Sequence, residues 1–225
     1  TELIAYVYVN NSSNVLAGNV IYVNSTTISV GTATTLQSEN CDWVAISYDS
    51  VLKKNLVAYS TSAGDLKGTI VTTGNSPYSI SADTASDSGE QGTNLGLAFD
   101  TRAEKHGLFF RNQTTTKACV MPVTTTASGI TWGSITDLDS SGQWNHNIAR
   151  YDPDQQVLVN AAYEAYSPNY SNAIAGYLAY DSTNLTSTNL LGLAPEAISD
   201  TATGTINTWG SRCESSSLLA DSLSL

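Results

Sequence analysis

The sequence predicts an all-β fold, a β-propeller-like array of four units of about 50 residues with four short strands each. A repeated aspartate is the first observation behind it: Asp49, Asp100 and Asp152 stand 51 and 52 residues apart. Each follows a short apolar run that ends in an aromatic, AISYD, GLAFD and IARYD. The second observation is the texture around each aspartate. A polar turn and a second apolar run follow every time, NLVAYS, HGLFFR and VLVNAA, so each unit opens with a hairpin. The third is negative: no segment keeps an apolar stripe at helical period, while Val, Ile, Tyr, Thr and Phe crowd runs bounded by Gly, Asn, Asp and Ser.

A third strand follows in each unit: GTIVTT (68–73), KACVMPV (117–123) and NAIAGYLAY (172–180). A fourth follows in two of them, YSISADTAS (78–86) and GITWGSITDL (129–138). Runs next to the aspartates are almost wholly apolar, which predicts burial on both faces. Later runs mix Thr and Ser with apolar residues, as half-exposed strands do. The chain opens at LIAYVY (3–8), which matches the second strand of a unit, with GNVIYV (18–23) third and TISVGTATTL (27–36) fourth. TNLLGLA (188–194) resembles TNLGLAF (93–99), so the expectation is that 188–194 supplies the missing first strand and closes the array. The predicted repeat domain is then 1–195. Residues 196–225, with a small strand signal at 203–209 and a Ser-rich end, read as an extension or connector.

Composition excludes several partners. Nine basic against twenty acidic residues give a formal charge of −11, which repels nucleic-acid phosphates and anionic membrane surfaces. No apolar run approaches the ~20 residues that span a bilayer. Charged residues make up only 13%, against roughly 25% in ordinary soluble domains, and Ser, Thr, Asn and Gly take their place. Cys41, Cys119 and Cys213 are odd in number and far apart, which predicts free thiols rather than a disulfide framework or a metal site.

Units of this form, SYDS followed by a lysine-bearing turn and LVAY, together with the segment LLGLAPEAISDTATGTINTWG, resemble repeat arrays of tail-fibre-like and other virion structural proteins of bacteriophages, marine ones especially. The resemblance implies a non-enzymatic virion component assembled in the host bacterial cytoplasm. It would be an appendage contributing to host-surface attachment or particle assembly, with other virion proteins, copies of itself or a host surface glycan as partners. A capsid decoration protein, a bacterial cell-surface adhesin and a glycan-active propeller enzyme stand as alternatives. Arg150 and Pro153 depart from the other units, so the blades need not be equivalent.

No motif for nucleophilic, phosphate-binding or metal chemistry is present, and no cofactor is expected. His106 and His146 read as ordinary turn or rim histidines. Asp49, Asp100 and Asp152 read as turn aspartates, each carboxylate accepting from backbone N–H groups just ahead. DLDSSGQW (137–144) has the acidic look of a calcium loop but lacks its closing Glu, so a plain turn is expected. Ligand binding is assigned to aromatics in loop-like sequence, Trp144, Tyr166 and Tyr170, with His146 beside them. Trp43, Trp132, Trp209, Tyr163, Tyr177 and Tyr180 form the wider pool. A hydrolase would need two carboxylates facing each other at ~5–10 Å. Glu90, Glu104, Glu164 and Glu196 are available, none in a motif.

Overall fold

The computed structural model describes residues 2–75, 78–139, 144–164, 171–176 and 190–192. Among them every regular element is a strand, and every pairing is antiparallel. The first unit contains β1 (Glu2–Asn10), β2 (Val15–Val23), β3 (Ile28–Val30) and the first half of β4 (Thr34–Asp49). Both β3 and β4 pair with β2, so together they make one interrupted fourth strand.

β4 does not stop there. After a bulge between Cys41 and Trp43 it continues as the inner strand of the second unit, pairing with β5 (Lys54–Thr61). A bulge bends a strand and sharpens its twist, which lets one strand leave one sheet and enter the next. β6 (Asp65–Asn75) follows β5, and β7 (Tyr78–Ala82) with the start of β8 (Ser86–Asp100) share its far edge. β8 repeats the device: it pairs with β6 up to Gln91 and with β9 of the third unit from Gly92 on, where its register shifts between Thr93 and Gly96. That unit holds β9 (Lys105–Asn112), β10 (Ala118–Thr126), β11 (Gly129–Trp132) and β12 (Thr136–Asp139). The fourth unit holds β13 (Trp144–Asp152), β14 (Val157–Glu164), β15 (Ser171–Gly176) and β16 (Leu190–Gly192).

The core lies between the units rather than within any one of them. Strand alternation sends successive side chains to opposite faces. On β5, Leu56 and Ala58 join Leu108, Phe110 and Met121 of the third unit, while Val57 and Tyr59 join Leu16 and Val20 of the first. On β9, Phe109 turns the other way, to Ala149 and Leu158 of the fourth unit. β5, β9 and the end of β8 are therefore buried on both faces, as their apolarity predicts, whereas the runs before Asp49 and Asp152 are not: Tyr48, Ile148 and Arg150 are exposed. Each such Leu or Phe contributes ~1.5–3 kcal/mol on burial.

Glycine sets the spacing of the third and fourth units. A Cβ on Gly107 would lie 2.5 Å from Leu158 Cδ1, and one on Gly96 would lie 3.0 Å from the Asn147 backbone.

One expected pairing is different. Leu190–Gly192 lies on β15 as the fourth strand of its own unit, not beside β1. The sequence likeness of 188–194 to 93–99 is real, but register against β15 decides the place of Leu190–Gly192: Gly192 faces Ile174 and Leu190 faces Gly176. Among the described residues β1 pairs with β2 alone. The expected extension 196–225 lies outside the described residues.

Candidate functional site

The three inner strands run side by side, and their ends converge. Ile46, Ser47, Tyr48 and Ser50 come from the second unit, Leu97, Ala98, Phe99 and Thr101 from the third, Ala149, Arg150 and Tyr151 from the fourth. Together they line a cleft of about 380 Å³, within the ~300–1,000 Å³ of small-ligand sites. The lining repeats as the sequence does: Tyr48, Phe99 and Tyr151 each directly precede the repeated aspartate. Tyr48 is 54% exposed, so its ring is offered to the cleft rather than used as core. Ser47, Ser50 and Thr101 supply hydroxyls, and Arg150 the one cation of the lining.

The rim is held by the repeated aspartates. Asp49 Oδ1 accepts from Val51 N at 2.8 Å and Leu52 N at 2.9 Å. Asp100 Oδ1 accepts from Arg102 N and Ala103 N at 2.9 and 3.0 Å. Asp152 Oδ1 accepts from Asp154 N and Gln155 N at 2.7 and 3.2 Å. Each hairpin then places a non-glycine residue in the left-handed region just before the second strand, Lys53 (φ 55°), Glu104 (φ 52°) and Gln156 (φ 56°). Three hairpins of one geometry hold three aromatics at equivalent heights.

Behind Phe99 lies the least expected group. His106 is fully buried, neither turn nor rim, because the second residue of β9 points between the second and third units. Its ring is 4.8 Å from that of Phe99, and Nε2 is 3.8 Å from Asp49 Oδ2. Thr125 Oγ1 donates to the same Asp49 oxygen at 2.5 Å and lies 3.4 Å from Nε2. Burial pulls the imidazole down to about 4, and the Asp49 charge restores only part of that. His106 is therefore neutral at pH 7. Asp49 does two jobs, capping its own turn and joining the second unit to the third.

At the other end of the inner strands the third and fourth units share a ladder of amides. Asn94 Nδ2 donates to Asn145 Oδ1 at 3.1 Å, Asn147 Nδ2 to Asn94 O at 2.5 Å, and Asn160 Nδ2 to Asn147 Oδ1 at 2.7 Å. Asn94 (φ 56°) and His146 (φ 54°) occupy the left-handed region inside the two strand irregularities. His146 is exposed, with its ring edge-on to Trp43 at 5.9 Å. That contact joins the second unit to the fourth.

The expected loop aromatics are not brought together. Trp144 starts β13, is 3% exposed, and packs with Ala118 and Ala162, so it cannot stack on a ligand. The Gly and Gln before it suggest a loop, but the inner strand starts at the tryptophan itself. Tyr166 and Tyr170 lie outside the described residues. Asp137 of the acidic loop is held by Lys117 Nζ at 2.5 Å and by the Cys119 thiol at 3.4 Å, a structural use. Among the described residues no cluster of three metal-ligating side chains exists. Cys41 and Cys119 are buried free thiols. Tyr48 and Tyr151 were the signal to follow, since they repeat with the aspartates.

No family model and no curated protein matches the chain. Solved structures of exo-β-1,3-galactanase from Phanerochaete chrysosporium with β-1,3-galactotriose are similar in fold. One has a TM-score of 0.55 at 8% identity over 80% of this chain, another 0.51 at 8% over 74%. The chain spans less than half the length of either, 46% and 42%.

Proposed function

We propose that the four units are blades of a β-propeller-type array and that the protein is a non-enzymatic glycan-contacting domain. The observation that carries this is the cleft at the convergence of three inner strands, with Tyr48, Phe99 and Tyr151 at repeated positions. An exposed tyrosine gives an apolar face for sugar C–H groups and a hydroxyl tip for hydrogen bonding. Ser47, Ser50, Thr101 and Arg150 add polar groups that fix orientation. Rigid strands hold the lining in place, which lowers the ordering cost of binding. The setting we propose, on the resemblance of the repeats, is a phage virion appendage that contacts the host surface. Multiple copies there would convert weak single-site affinity into firm attachment.

The second function is glycoside hydrolysis, favoured by the fold of the galactanases. It requires two facing carboxylates. Among the described residues the lining contains none, and Asp49 and Asp100 behind it are buried and hold backbone N–H groups. Glu104 is exposed in its hairpin and Glu90 lies on β8; the side chains of Glu164 and Glu196 are outside the described residues.

The test is a glycan array probed with the protein and with Tyr48→Ala/Tyr151→Ala, followed by chromatography of each bound sugar after incubation. Binding by the native protein, loss in the variant and intact sugar are expected. Equal binding by both proteins would remove the cleft from the account, and shortened sugar would establish the hydrolase.

A further inference from the structure

The cleft carries a charge that the repeat does not require. Two positions before the repeated aspartate the second unit has Ser47, the third Ala98 and the fourth Arg150. They are equivalent in register, opposite Leu56, Gly107 and Val159, and all three line the cleft. A small side chain therefore serves the strand at this position, and the guanidinium adds nothing that the fold needs.

The guanidinium is also unbalanced. Nine basic residues stand against twenty acidic ones, and Lys67 pairs with Glu39 and Lys117 with Asp137. Arg150 pairs with no carboxylate among the described residues. Its one hydrogen bond there runs from Nη1 to Ala149 O at 2.8 Å, which holds the side chain against the wall of the cleft. Asp49 and Asp100 are buried and accept from turn N–H groups, and Asp152 Oδ1 accepts from Asp154 N and Gln155 N. The long-range field of a chain at −11 disfavours an anion, but physiological salt screens it beyond ~8 Å. Within that distance the lining decides. It offers Arg150, the hydroxyls of Ser47, Tyr48, Ser50 and Thr101, and no carboxylate among the described residues.

We propose that the cleft selects acidic saccharides and that Arg150 sets this specificity. The inference rests on the saccharide reading above and names the class of sugar within it. A guanidinium is charged at any working pH, and its parallel N–H donors fit two oxygens of a carboxylate or a sulfate. Tyr48, 54% exposed, takes the apolar face of the sugar ring. The lining hydroxyls take its neutral substituents, and the anionic group sits on Arg150. A neutral sugar leaves the guanidinium without a counter-ion, so the cleft favours the acid.

The test is an array that prints uronic-acid oligosaccharides beside their methyl esters, and sulfated oligosaccharides beside their desulfated forms. It is probed with the full chain, with Arg150→Ser and with Tyr48→Ala. The native protein should bind the charged member of at least one pair about tenfold or more tighter than the neutral member. Whether that pair is an acid with its ester or a sulfate with its desulfated form identifies the anion. Arg150→Ser, which copies Ser47, should bind the two members within about twofold of each other. The native comparison needs no variant, so it decides even if Arg150→Ser fails to fold. Equal native binding of charged and neutral members would overturn the inference, and the saccharide reading would stand if Tyr48→Ala weakened both. A preference that survives in Arg150→Ser would also overturn it, because the charge would then be read elsewhere. Failure to bind any sugar would remove the saccharide reading and this inference together.

Discussion

His106 makes a specific prediction about pH. The imidazole is fully buried between two units, against Phe99 and near Asp49. Desolvation brings it from its ordinary 6.5 to about 4. Between these values the unfolded chain binds a proton that the folded chain refuses. Stability from this group is therefore full above pH 6.5 and declines as pH falls toward 4. At ~1.4 kcal/mol per pH unit the loss is about 3 kcal/mol. The perturbation is His106→Asn, since Asn55 holds the equivalent position in the second unit. At pH 7 the variant should be weaker by roughly 1–2 kcal/mol, from lost ring packing. Urea unfolding of both proteins from pH 8 to pH 4 measures the difference. The native protein should lose about 3 kcal/mol more than the variant over the acid side, so that the curves converge or cross. Glu39 also loses stability in acid: burial raises its carboxyl, but hydrogen bonds from Lys67 and Tyr59 bring it below the usual range. Asp137 does so through its hydrogen bond from Lys117. Both are common to the two proteins and cancel. Curves parallel within about 0.5 kcal/mol would refute the account of a neutral, desolvated imidazole.

Other consequences concern the turns and thiols. Asp49→Ala strips two backbone N–H groups and Thr125 of their acceptor and should cost about 3 kcal/mol by denaturant unfolding, against about 1 kcal/mol for Asp152→Ala, whose turn partners are exposed. Thr116 is a β-branched residue at φ 60°, so Thr116→Gly should raise the melting temperature, by about 1 kcal/mol in stability. Burial pushes the Cys41 thiol up to about 11 and the Cys119 thiol up to about 12. Mass mapping after iodoacetamide at pH 8 should find both unmodified until urea is added.

The repeat, the hairpins and the two-sided burial of β5 and β9 are legible in the sequence because each is a local pattern. AISYD, GLAFD and IARYD carry strand, aromatic and turn cap within five residues. What the chain hides is continuity. The strand through Glu39, Cys41 and Trp43 passes from one unit to the next without a turn, and only a register shift marks the crossing. Polar residues there look like a loop, as do Gly142 and Gln143 before Trp144. His106 follows Lys105 after a polar turn, so nothing local shows that it points into the seam between two sheets. The cleft is the sum of three distant short segments, and a sequence shows that they rhyme without showing that they meet. The run TNLLGLA is harder still, because it imitates an inner strand in sequence while its described part, Leu190–Gly192, pairs with β15.

The central claim is that the convergence of the inner strands binds saccharide. Backbone amide shifts on titrating the isotope-labelled protein with its strongest array sugar test it most directly. Shifts confined to Ile46–Ser50, Leu97–Thr101 and Ala149–Tyr151 are the predicted result. Shifts centred on the outer strands β7 and β11, with these three segments silent, would contradict it.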